Sequence, residues 1–152
     1  MRRPARPPRL GLTGGPLPGD STSTSFFITA RLAGQDTREA FTTVLLEQLA
    51  ALIGQDLPGT MNEANREAHL HDLLAQAAAS CHSAGGRLVL VVDGLDEDRG
   101  VTLGPDAHSI AALLPANPPA GMRIIVAGRP NPPVPDDVPD WHPLRDPGIG
   151  RP

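Results

Sequence analysis

Arg87-Leu-Val-Leu-Val-Val-Asp93 is an uninterrupted apolar run closed by an acid, and Gly94-Leu-Asp-Glu-Asp98 follows it at once. No polar alternation sets aside a side of this run for water. It is therefore expected to form a central strand of a parallel sheet, with helices over both faces.

Working back from that strand, Gly85 and Gly86 end a helix whose apolar positions are Leu70, Leu73, Leu74, Ala77 and Cys81. Thr60 with Glu63 is the expected capping pair of that helix. Before it, Phe41, Leu45, Leu49 and Leu52 recur at helical spacing, opened by Asp36 with Glu39 and stopped by Gly54. Phe26-Phe-Ile-Thr-Ala-Arg-Leu32 has the aromatic and β-branched content of a strand. Residues 1–25, rich in Pro, Arg, Gly, Ser and Thr, have little to bury and are expected to form a flexible arm. Forward from Asp98, Pro105 suits the start of a short helix through Ile110 and Leu114, which Pro115 closes. Met122–Ala127 is then a further strand. Residues 131–152 carry too many prolines for a regular element and read as an extended tail anchored by Val134, Val138, Trp141, Leu144 and Ile149. A core over 26–130 in the order strand, helix, helix, strand, helix, strand implies an α/β fold with parallel pairing and right-handed crossovers.

The chain has 152 residues and a formal net charge of -4, which argues against a nucleic-acid-binding surface. No apolar run approaches the ~20 residues that span a bilayer, so no membrane partner is expected. A single cysteine and no charged-then-apolar leader favour a reducing, cytoplasmic setting. Every basic side chain is arginine, which removes both Schiff-base chemistry and a phosphate-gripping lysine.

In open parallel sheets, ligands bind beyond the carboxyl ends of the strands. The central strand delivers Asp93 there, and Asp96, Glu97 and Asp98 bring the count to four carboxylates within six residues. The next strand delivers Gly128 and Arg129 to the same edge. The plain reading is a polar turn with a solvated acidic loop. Against it, such a cluster in a confined site calls for a cation, and hard oxygen ligands suit magnesium. A long apolar strand ending in Asp is also the Walker B pattern.

Leu88-Val-Leu-Val-Val-Asp-Gly-Leu-Asp-Glu97 resembles the extended Walker B segment of NACHT domains, a branch of the STAND class of P-loop NTPases involved in signalling. Arg123-Ile-Ile-Val-Ala-Gly-Arg-Pro130 is similar to the sensor 1 strand of that family. The resemblance implies a partial three-layer P-loop NTPase-like parallel sheet of about three strands with flanking helices, these strands being two, three and four of a family order five, one, four, three, two. It implies ATP and magnesium as cofactors. Asp93 would then hold magnesium through water, Asp96 or Glu97 would orient the hydrolytic water, and Arg129 would sense the γ-phosphate.

The family's glycine loop ending in Lys and Ser or Thr is not matched. Gly14-Gly-Pro-Leu-Pro-Gly-Asp-Ser21 has the outer spacing but Asp20 where Lys belongs, and neither an apolar strand before it nor a helix after it is expected. The chain therefore reads as a truncated ATPase domain, inactive alone and binding nucleotide weakly at best. The alternative is a non-enzymatic α/β interaction module that joins a protein partner or forms a homo-oligomer. An aspartate-nucleophile phosphatase needs Asp-x-Asp after the strand, and Asp93-Gly-Leu-Asp96 is spaced wrongly. His69, His71 and His82 read as a solvated helix surface, Cys81 as core and His108 as a surface residue. Trp141 reads as cover for a sheet edge, or as a mark of further chain.

Overall fold

The structure is a computed structural model that describes residues 36–59, 61–98, 108–129, 133–146 and 148, together with the backbone of 21–27. It is mixed α/β. Strand β1 spans Ser21–Phe27, helix α1 Arg38–Ile53, helix α2 Glu63–Ser83, strand β2 Arg87–Asp93 and strand β3 Arg123–Ala127. The strands lie in the order β1-β2-β3, with both pairings parallel. Phe27, Asp93 and Ala127 are level in the ladder, so all three carboxyl ends share one edge. None of the described helices is long and apolar enough to cross a membrane.

Each helix starts on a side chain other than the expected one. Thr37, not Asp36, caps α1 by accepting from Ala40 N at 3.2 Å. Asn62 and Asn65 form the reciprocal box at the start of α2, with both bonds at 3.0 Å, and the expected pair, Thr60 with the Glu63 side chain, lies outside what is described. Several short polar side chains precede each helix, and the cap goes to the one whose extended backbone aims its oxygen at the first free N–H groups. Gly54, at φ 68, closes α1. Phe41, Leu45, Leu46, Leu49 and Ala50 of α1 meet Leu70, Leu73, Leu74, Ala77, Ala78 and Cys81 of α2 in one core. Leu52, expected in the stripe, lies at its margin and is 37% exposed. Salt bridges Arg38–Glu67 and Arg66–Glu39 join the helices at the surface.

The expectation of helices over both faces of β2 does not hold among the described residues. Leu88, Leu90 and Val92 are buried in the core with α1, α2 and Ile110–Leu114, and Ile124 and Val126 pack on it, whereas Val89 and Val91 do not belong to that cluster. Topology supplies the reason. Sequential strand order with right-handed connections carries every crossing element over the same face. Covering the other face takes a reversal of strand order, and the described strands have none. The described fold therefore has two layers, not three.

Three further segments differ from expectation. The first strand begins at Ser21, inside the stretch read as an arm, and ends at Phe27; residues 28–32 lie outside those described. The described part of the helix expected from Pro105 is a single 3-10 turn over Ala111–Leu113, left in extended conformation at Leu114 before Pro115. Residues 133–146, expected to be an extended tail, are built onto the core. Val138 and His142 are buried, and Asp137 accepts from Ser109 N at 2.7 Å and Ser109 Oγ at 2.6 Å. The ring of His142 is hydrogen-bonded to Leu114 O at 2.9 Å and accepts from Leu144 N at Nδ1. Prolines prevent a helix here, and Arg145 supplies the bonding a helix would have made, donating to Val138 O at 2.9 Å and Pro135 O at 2.8 Å. Trp141, expected as cover for a sheet edge, is 72% exposed.

Candidate functional site

The carboxyl edge of the sheet sorts the four acids into different roles. Asp93, the last residue of β2, is exposed, and its carboxylate makes no hydrogen bond or ion pair with a described residue. Gly94 turns the chain with φ 78, a conformation that favours glycine, and its N–H donates to Ala127 O at 3.0 Å. That bond carries the β2–β3 ladder one step beyond its last pair. A 3-10 turn over Leu95–Glu97 follows, held down by buried Leu95.

Asp96 and Arg129, 33 residues apart in the chain, are brought together at this edge. Arg129 Nε lies 3.0 Å from Asp96 Oδ2, and Arg129 N donates to Asp96 Oδ1 at 3.2 Å. The Asp96 side chain is 11% exposed and that of Arg129 79%, so a sheltered carboxylate holds the base of a guanidinium that reaches into solvent. Gly128 makes the approach possible, since a Cβ there would stand 2.8 Å from Asp96 Oδ1. Sequence reasoning passed over this need for glycine, which only the pairing of the two strand ends reveals. Glu97, half-buried in the 3-10 turn, also makes a polar interaction.

Asp98 is fully buried and structural. Its Oδ2 accepts from Ile110 N at 2.6 Å and Ala111 N at 3.4 Å, fixing the return of the chain towards β3. The acidic cluster thus resolves into one solvated acid, one arginine tether, one half-buried acid and one buried acceptor.

Magnesium usually keeps several waters and takes one or two carboxylates besides phosphate oxygens. Asp93 fits that demand, and no group of three ligating side chains gathers among the described residues. The phosphate side does not fit. The chain has no lysine, and Ser21, which would have to open a helix if Gly14–Ser21 were a phosphate loop, opens strand β1. His69, His71 and His82 of α2 join no metal-binding group among the described residues, and Cys81 is buried in the core. Comparison with protein-family models, with curated proteins and with solved structures finds no match.

Proposed function

We propose that this chain is the Walker B and sensor 1 half of a NACHT-like ATP site, able to bind magnesium and nucleotide weakly and unable to hydrolyse ATP alone. The observation that carries this reading is the Asp96–Arg129 tether, which joins the Walker B-like loop to the sensor-like strand end. Asp93 would hold magnesium through water. Arg129, steadied at Nε by Asp96, would hold a terminal phosphate oxygen through its planar fork. Asp96, engaged at both oxygens by Arg129, or Glu97, which makes a polar interaction of its own, would orient water. Bound magnesium and ATP would supply the charge neutralisation and the scissile phosphate. On the family order, the missing phosphate-loop strand would pair along the outer edge of β3 and create the strand reversal where such ligands sit.

Titration calorimetry tests this reading. Heat on adding ATP should require magnesium and be lost in Asp93→Asn, and equal heat in the variant would remove Asp93 from the site. One observation favours the second reading, a non-enzymatic interaction module: among the described residues, Val89, Val91 and Ile125 on the sheet face turned away from the helices lie outside the core, and Ile125 is 52% exposed. Partner binding through that face, with no magnesium-dependent nucleotide heat, would select it.

A further inference from the structure

Trp141 is 72% exposed on a backbone that is pinned on both sides. His142 N donates to Pro139 O at 2.9 Å, which makes Asp140 and Trp141 the central pair of a turn, and the flanking Val138 and His142 are buried. Arg145 fastens the same segment through Val138 O and Pro135 O. The fold thus presents the indole from a fixed turn. The segment around it is acidic, with Asp136, Asp137, Asp140 and Asp146 against Arg145 alone. Asp137 is spent on Ser109, and Asp136, Asp140 and Asp146 are exposed. Arg145 Nε lies 3.8 Å from Asp140 Oδ1, but its guanidinium is already committed to two carbonyls, so most of that charge is uncompensated.

We propose that residues 1–10 of the same chain dock on this turn, with arginine stacked on the Trp141 indole and paired to Asp136 and Asp140. Met1-Arg-Arg-Pro-Ala-Arg-Pro-Pro-Arg-Leu10 holds four arginines and no acid, and it lies outside the described residues. Its chemistry matches the turn twice over. A planar guanidinium stacks on an indole face while its fork meets carboxylates, and prolines pack on aromatic side chains with little ordering cost. So a segment too polar to join the core still has a surface that suits it. Arg9 is twelve residues from Ser21, where β1 starts, a reach of about 40 Å that matches the width of a domain of this size. The tether also holds the arm near the turn at a high effective concentration, which favours it over a second copy or a separate basic partner. The contacts are solvent-exposed, so docking is weak and salt-sensitive.

Trp141 is the chain's single tryptophan and there is no tyrosine, so intrinsic fluorescence reads the turn directly, without nucleotide or magnesium and apart from the ATP-site reading. Removing residues 2–10 should shift the emission to the red and raise acrylamide quenching about twofold, as an indole covered on one face opens on both. Arg2→Glu, Arg3→Glu, Arg6→Glu and Arg9→Glu together should do the same in a chain of full length. High salt should reproduce the change in the full chain and leave the shortened one as it was. A peptide of residues 1–10 added to the shortened chain should reverse it. Circular dichroism confirms that each variant is folded. Equal emission and quenching in the full chain, the shortened chain and the four-arginine variant overturn the proposal. A difference that appears only as protein concentration rises overturns it too, because the arm would then sit on a second copy.

Discussion

Gly128→Ala is a one-methyl test of the Asp96–Arg129 tether. The new Cβ would lie 2.8 Å from Asp96 Oδ1, so the oxygen must retreat to at least 3.4 Å for an ordinary contact. That oxygen already accepts from Arg129 N at a long 3.2 Å, and such a retreat breaks the bond. A bond to a charged acceptor contributes about 1.5–3 kcal/mol, and the exposure of Arg129 lowers the expected loss to about 1–2 kcal/mol. In a chain of this size that corresponds to a fall in melting temperature of roughly 3–6 °C. Asp96→Ala loses the same bond and also removes the obstructing atom. Gly128→Ala should therefore cost almost nothing further in the Asp96→Ala background, a non-additivity that a double-mutant cycle in urea measures directly. A Gly128→Ala variant melting within about 1 °C of wild type, or a cost that adds in full to that of Asp96→Ala, would refute the reasoning.

Three other perturbations have defined outcomes. Asp98→Ala leaves the Ile110 and Ala111 N–H groups without their acceptor and should lower stability by roughly 2–4 kcal/mol in urea unfolding, with Asp98→Asn losing less because it keeps a carbonyl. His142→Ala removes the bonds to Leu114 O and Leu144 N, so native-state proteolysis within residues 133–146 should quicken; an unchanged cleavage rate would mean that Arg145 and Val138 alone hold the segment. Thr37→Ala should cost about 1 kcal/mol, and an equal cost for Asp36→Ala would put the α1 cap in doubt.

Strand β2 was legible because nothing but a buried strand explains five apolar residues closed by an acid and entered through two glycines. The apolar faces of α1 and α2 were legible from spacing. Strand β1 was misplaced because Ser21-Thr-Ser-Thr-Ser25 has no hydrophobicity to signal burial. Its order is visible in the main-chain ladder with β2, and side-chain composition does not report that kind of pairing. That the described helices cover only one sheet face was illegible for a different reason. An apolar run looks the same whether its second face meets a helix or stays bare, and only the sequential strand order decides between them. At the candidate site, the edge and its residues could be named from the strand ends, but the partition of the acids could not. Asp96 and Asp98 differ in neither charge nor neighbourhood along the chain. Their fates diverge because Arg129 and the 110–111 turn approach from 33 and 12 residues away, respectively.

On the proposed reading, the chain carries the metal-binding half of an ATP site without the half that grips phosphate. Stabilising a transferring phosphoryl group depends on cations and amides preorganised around it, and the loss of several such contacts, each worth a few kcal/mol, multiplies into many decades of rate. The most direct measurement is phosphate release from magnesium-ATP by the purified chain, run beside Asp93→Asn. No turnover above background is expected from either protein. Turnover by the wild-type chain that disappears in Asp93→Asn would contradict it, because an active site would then be complete without lysine or a phosphate loop.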